Sequence, residues 1–214
     1  DDYSGNSVSL DSDGDRVAIG ARANDGTGAD AGHVRVYGYS SSSWSQLGSD
    51  IDGEAAGDNF GRSVSLDSDG DRVAIGAYGN DGNGTNSGHA RIYEYSSSSW
   101  SQLGSDIDGE SGDDRSGYAV SLDSDGDRVA IGAYKNNGTG TDAGHVRVYQ
   151  YSSSSWSQLG SDIDGEAAGD LSGVSVSLDS DGDRVAIGAR GNDGTGADAG
   201  DRLRLAAELH PVAG

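Results

Sequence analysis

Aspartate recurs at alternate positions in one short knot, DSDGD, which the chain repeats four times. The copies are Asp11, Asp13 and Asp15; Asp67, Asp69 and Asp71; Asp123, Asp125 and Asp127; and Asp179, Asp181 and Asp183. Three carboxylates within five residues point to a hard cation. Calcium takes about six to eight oxygens at roughly 2.3–2.6 Å from carboxylates, carbonyls and water, and each knot offers three. The same letters also write a tight hairpin. Asp-Gly between alternating runs is a strong turn signal, because Gly accepts positive φ without steric cost. A tight hairpin sends successive side chains to opposite faces, so the three Asp of a knot need not converge. Two readings therefore stand: a hairpin with a solvated acidic tip, which is the plainer one, and a calcium site on these twelve aspartates.

Two further acidic segments recur. One reads NDGTGAD at Asn24–Asp30, NDGNGTN at Asn80–Asn86, NNGTGTD at Asn136–Asp142 and NDGTGAD again at Asn192–Asp198. The other reads DIDGEAAGD at Asp50–Asp58 and Asp162–Asp170, and DIDGESGDD at Asp106–Asp114. Fixed glycines imply forced backbone turns, and Asn and Asp commonly cap them. Solvated, self-capped loops are the plain reading. The functional one is a binding rim that presents Asp25, Asp30, Asp52, Glu54, Asp58, Asp81, Asn86, Asp108, Glu110, Asp142, Asp164 and Glu166 to a ligand or a divalent ion.

Single residues recur in phase as well. His33, His89 and His145 read as exposed histidines at strand ends; a symmetric metal ring is set aside, since those strands lie far from any central axis. Trp44, Trp100 and Trp156 read as packing residues rather than sugar-stacking platforms. Arg16, Arg72, Arg128 and Arg184, each beside the last Asp of a knot, read as surface ion pairs worth under ~1 kcal/mol each. No set of nucleophile, base and orienting group is found, and G-x-S-x-G, H-E-x-x-H and a phosphate loop are all missing from the sequence. The carboxylates come as equal copies, whereas acid–base pairs need two in different surroundings. The chain therefore reads as a non-enzyme with no catalytic residues.

The elements that must hold these groups follow from a period of 56 residues, marked by Leu10, Leu66, Leu122 and Leu178 and by the three tryptophans. A fixed period of this size signals a solenoid, a propeller or an array. Within each unit, SVSL, RVAIGA and HVRVY alternate apolar and polar residues, and WSQLGSDI is a weaker fourth strand; Gly, Asp and Ser clusters bound them all. Four short antiparallel strands per unit is the arithmetic of a propeller blade. The expected fold is an all-β propeller of about three and a half to four blades. Its divisions are 1–56, 57–112, 113–168 and the half-blade 169–200, followed by a divergent tail, 201–214. In that tail Leu203 and Leu205 suit a substitute third strand, and LRLAAELH suits a short helix equally well. In an up-and-down blade the two longer acidic loops share one rim, and DSDGD shares the other with YSSSSW.

Composition narrows the function classes. The 214 residues carry a formal charge of −22, 37 Gly and no Cys. Such a polyanion repels nucleic acid and anionic membrane surfaces and attracts cations and basic partners. Disulfides and thiolate metal sites are excluded. No signal peptide is read, and no apolar run nears the length of a membrane span.

The units resemble FG-GAP repeats, the blades of integrin-alpha-type β-propellers, in a marine microbial-like variant. Phe60-Gly61 before RSVSL, the closing Gly-Ala of VAIGA and the strand GHARIYEY carry the resemblance. Ser4, Ser116 and Ser172 replace the Phe in the other units, and Arg22, Tyr78, Tyr134 and Arg190 replace the Pro of the GAP triplet. The family's calcium loop is shortened here by about two residues, with Arg16, Arg72, Arg128 and Arg184 at its final Asp position. The resemblance implies adhesion or binding of a protein or glycan ligand, outside the cell or at its surface, with calcium as the one expected cofactor. A purely structural spacer and an accessory binding domain of a secreted enzyme are the alternatives. The incomplete blade count implies a homo-oligomer, a piece of a longer propeller, or a four-bladed ring with a defective last blade.

Overall fold

The computed structural model describes residues 1–192 and, as backbone, the strand 204–206; over these the protein is all-β. The first blade holds β1 (Ser4–Leu10), β2 (Arg16–Ala21), β3 (His33–Ser40), β4 (Ser43–Gln46) and β5 (Ile51–Asp52). The second holds β6 (Ser63–Leu66), β7 (Arg72–Ala77), β8 (His89–Ser96), β9 (Ser99–Gln102) and β10 (Ile107–Asp108). The third holds β11 (Ser116–Leu122), β12 (Arg128–Ala133), β13 (His145–Ser152), β14 (Ser155–Gln158) and β15 (Ile163–Asp164). The last holds β16 (Ser172–Leu178), β17 (Val185–Ala189) and β18 (Arg204–Ala206). Every sheet is antiparallel and runs in chain order from its first strand outward.

Alternation sets what each blade buries. In β6, Val64 and Leu66 pack with Val34, Val36 and Ile51 of the preceding blade, while Val73, Ile75, Tyr93 and Trp100 complete the layer. The alternate serines face the following blade. Ser63 and Ser65 accept hydrogen bonds from the Val120 and Leu122 amides at 3.1 and 3.0 Å. Ser9 and Ser121 serve Leu66 and Leu178 in the same way, each at 3.0 Å. The first strands are thus stitched side by side.

The Gly-Ala and Phe-Gly motifs meet across this joint. A Cβ on Gly20, Gly76 or Gly132 would overlap the carbonyl oxygen of Gly61, Gly117 or Gly173 in the next blade. Gly32, Gly88 and Gly144 form parallel bridges to Phe60, Ser116 and Ser172. Blade-to-blade register is therefore fixed largely by backbone.

Two expectations change. The predicted fourth strand is two short strands on the same edge of β3, β8 and β13: β4, β9 and β14 pair with the far half, and β5, β10 and β15 pair with the start. Between them Gly48, Gly104 and Gly160 take positive φ of 71°, 78° and 67°, which turns the chain out of the ladder. In the tail, the strand alternative is the one seen, since Arg204–Ala206 pair with Val185–Ile187. The remainder of that tail, and the last loop copy beyond Asn192, lie outside the described residues.

The four blades fan about one hub, where Leu10, Leu66, Leu122 and Leu178 with the Asp and Ser that follow each line a depression of about 290 Å³. The arc leaves one side of the first blade bare. Val8 and Leu10 are 64% and 59% exposed, while their counterparts Val64 and Leu66 are 8% and 7% exposed. A four-bladed ring closed onto this face is thus not what the described residues form. No helix among them is long and apolar enough to cross a membrane.

Candidate functional site

The DSDGD knots crown the hub as hairpin turns. Their first aspartate acts inside the turn: Oδ1 of Asp11, Asp67 and Asp123 accepts the amide of Arg16, Arg72 and Arg128 at 3.0, 3.1 and 3.0 Å. Oδ1 of Asp179 accepts the Asp183 and Arg184 amides at 3.0 and 3.1 Å. The third aspartate adjoins the first, with Asp15 beside Asp11 and Asp71 beside Asp67. The middle ones, Asp13, Asp69, Asp125 and Asp181, are exposed. Two of the three carboxylates therefore come together, and the middle one stays in solvent. Burial raises the Asp67 carboxyl to about 6, against the pull of the Arg72 amide, and the Asp71 charge adds to the rise. Asp123 is raised by burial in the same way.

Beside these turns the serines form a directional chain about the axis. The Ser12 amide donates to the Ser68 carbonyl (3.1 Å), Ser68 to Ser124 (3.0 Å) and Ser124 to Ser180 (3.1 Å). The arginines differ from expectation. Arg72 pairs with Glu94 at 3.0 Å and donates to the carbonyls of Asp125 and Gly126 in the next blade. Arg128 likewise reaches the carbonyls of Asp181 and Gly182. Among the described residues, Arg184 is the one of the four that pairs with its neighbouring aspartate, Asp183, at 3.3 Å. The stems of Arg72 and Arg128 bridge blades, a contact that one repeat taken alone does not reveal.

The two longer loops lie together at the opposite end, as the topology predicts. The Gly57 amide donates to Ala29 O, the Asn59 amide to Asp30 O, and Thr27 Oγ1 to Gly53 O. In the first loop Asp25 and Asp81 accept the amides of Asp30 and Asn86 at 2.9 and 2.7 Å, and Asn137 accepts that of Asp142 at 2.8 Å. Asp30, Asn86 and Asp142 hold φ near +50°, the left-handed turn those caps support. Asp25, Asp30, Asp52, Glu54, Asp81, Asp108, Glu110 and Glu166 are exposed, while Asn86, Asp142 and Asp164 are half-buried. Asp58 is a correction. It is buried, accepts the Ala55 amide at 3.1 Å and the Asn80 side chain at 3.2 Å, and so holds the rim from beneath. Asp114 and Asp170 repeat this role.

The histidines are the larger correction. His33, His89 and His145 are buried, because the acidic loop of their own blade closes over the start of the third strand; at His89 and His145 a glutamate of the preceding blade joins it. Each joins carboxylates: His33 with Asp50 and Asp52; His89 with Asp106 and Glu54 of the blade before; His145 with Asp162 and Glu110 of the blade before. Arg35 forks onto Asp50 at 2.9 and 2.8 Å, which holds that carboxyl down at about 2, and Arg91 forks onto Asp106 at 2.8 and 2.7 Å. Burial pushes the His89 and His145 imidazoles below their usual range, and Arg91 and Arg147 push them the same way. Asp50, Asp106 and Asp162 open the acidic segment that the sequence offered as a chelator of a divalent ion, but their meeting with the histidines was missed; recurrence in phase with the histidines was the available signal.

The tryptophans pack as expected where a preceding blade exists. Nε1 of Trp100 and Trp156 donates to the carbonyls of Leu47 and Leu103 at 2.8 and 2.7 Å, and Trp44 is exposed on the open side.

Antiparallel wedges, stitched first strand to first strand about a hub, define a β-propeller repeat protein. More narrowly, residues 50–93 match the family model of the FG-GAP repeat, a span that includes the Phe60-Gly61 and Gly76-Ala77 pairs. Solved propeller-like structures agree in fold. The periplasmic gluconolactonase of Pseudomonas aeruginosa superposes with a TM-score of 0.58 at 14% identity, over 96% of this chain and 58% of that one. Hydrazine synthase of Kuenenia stuttgartiensis gives 0.55 at 9% identity, over 94% and 49%. Sqt1 of Saccharomyces cerevisiae gives 0.55 at 12% identity, over 89% and 44%. The chain spans about half the length of these structures, and identities this low speak for fold alone. No curated protein matches it in sequence.

Proposed function

We propose that the chain is a non-enzymatic propeller that binds a protein or glycan ligand at the cell surface or outside the cell, with calcium supporting its acidic turns. The rim carries the reading. Its two loops are tied to each other by backbone hydrogen bonds, so exposed carboxylates stand on a fixed platform and recur with each blade. The propeller fold also serves enzymes, as the gluconolactonase shows. Here the carboxylates recur at corresponding positions of successive blades, which favours repeated weak contacts over one acid–base pair. The bare side of the first blade, in this reading, takes a further blade of the same kind, from a longer propeller or a second copy.

Asn137 offers a design for the test, since it caps its turn as Asp25 and Asp81 cap theirs. D25N, D81N and E166Q together should keep the loops and remove three charges. Immobilised protein is screened against glycan and extracellular-protein arrays in calcium and in chelator. The expected result is capture that the triple variant weakens at least about tenfold. Undiminished capture by the variant overturns the rim, and turnover of a lactone panel by pure protein overturns the non-enzymatic reading.

A further inference from the structure

The three histidine clusters stand at corresponding places in their blades but in different states. In the first two an arginine fills the cation position, Arg35 on Asp50 and Arg91 on both Asp106 and Glu54. In the third it turns away: Arg147 Nη2 donates to Asp108 O at 3.0 Å, and Nη1 lies 3.6 Å from Glu110. His145 is left with Nδ1 buried and without a hydrogen-bond partner, its side chain 1% exposed. That nitrogen faces Asp162 Oδ2 at 3.7 Å, Glu110 Oε2 at 3.9 Å and Asp164 Oδ1 at 4.0 Å. Gln158 holds the other Asp162 oxygen at 2.7 Å.

We propose that this pocket between the second and third blades binds a divalent transition metal of zinc-like preference through His145 Nδ1, Glu110 and Asp162. The spacing supports it. Ligands about 2.0–2.2 Å from a tetrahedral metal stand roughly 3.3–3.6 Å from one another. The two separations from His145 to the carboxylates are a few tenths of an ångström longer, and too long for hydrogen bonds, and the three ligand atoms all lie within 4.8 Å of one another. One imidazole with carboxylates is a borderline donor set that suits zinc and its neighbours, whereas calcium prefers oxygen throughout. Charge agrees too, since three carboxylates here face a single guanidinium. A cleft of about 560 Å³ lined by Thr139, Asp162, Asp164 and Glu166 opens beside Asp162. The bound metal would clasp a loop of one blade to a strand of the next. The site lies at the opposite end from the DSDGD turns; it shares Glu110 with the rim, but none of its ligands is changed in the rim variant D25N/D81N/E166Q.

The test uses the whole chain in about 150 mM salt with millimolar calcium, which occupies hard-cation sites. Zinc chloride is titrated calorimetrically, and cobalt(II) is followed by visible absorption. One zinc per chain at a Kd of about 1 µM or tighter is expected, with strong cobalt bands of low coordination number and a zinc-induced rise in Tm of at least about 4 °C. His145→Gln and Glu110→Gln should each weaken zinc at least about tenfold, and His89→Gln should leave it unchanged. Glu110 is half-exposed, so its variant reports even where His145→Gln fails to fold. No zinc site in the presence of calcium, wild-type affinity in both variants, or loss with His89→Gln alone overturns the assignment.

Discussion

At the scale of single residues, Asp67 carries a definite pH signature. Its carboxyl is raised in the fold to about 6 from an ordinary 3.8, so the folded chain holds that proton more tightly than the unfolded one. Stability from this group is therefore present at low pH and lost as pH climbs from about 4 to about 6, by at most about 3 kcal/mol. Asp67→Asn keeps an acceptor for the Arg72 amide and should remove the slope. Urea melts of wild type and variant from pH 4 to 7 in chelator should diverge across that window, and parallel curves would refute the assignment. Calcium bridging Asp67 and Asp71 would flatten the wild-type curve alone. The knot as a turn was plain in the sequence, because Asp-Gly between alternating runs has few other uses. The burial of the histidines was not, because the acidic loop that follows folds back over them, and Glu54 and Glu110 join His89 and His145 from the blade before, contacts that alternation along a strand cannot register.

At the scale of elements, identical letters meet different neighbours. Gly76→Ala would drive a methyl into the Gly117 carbonyl of the next blade, whereas a Cβ on Gly188 meets chiefly the hydroxyl of Ser175, which can rotate. We expect Gly76→Ala to cost more than about 3 kcal/mol, or to prevent folding, and Gly188→Ala to cost about 1 or less. Trp100→Ala should likewise cost about 2–4 kcal/mol and Trp44→Ala under about 1, since Trp100 packs on the preceding blade and Trp44 stands exposed. Denaturant midpoints decide both pairs, and equal losses within a pair would contradict the blade order. The strands themselves were legible from period-two patterning. The break in the fourth was not, because Gly104 can continue a strand or turn it, and only its left-handed φ of 78° settles which.

At the scale of the whole molecule, the arc has a hydrophobic flank. Val8 and Leu10 are exposed, and Val17, Ile19, Tyr37 and Trp44 line an apolar hollow beside them. In the second blade the matching Val64, Leu66, Val73, Ile75, Tyr93 and Trp100 are covered by the first. Exposed surface of this kind favours association. The pair V8D and L10D should abolish concentration-dependent self-association in sedimentation velocity and leave Tm within about 2 °C. A wild type that stays monomeric at high concentration would remove the homo-oligomer from the proposal. The 56-residue period made the propeller readable, but whether the arc closes depends on what covers this flank, and a repeat unit carries the same letters either way.

The glycine seam has an evolutionary corollary. Where Gly20, Gly76 and Gly132 lie against Gly61, Gly117 and Gly173, the mating parts are main-chain atoms that every unit owns. Unequal crossing-over that copies one whole unit would insert a module that already fits both its flanks, with no compensating mutation needed. Such an architecture can change its ring size in a single genetic event, and near-identical neighbours are the trace that growth of this kind leaves behind.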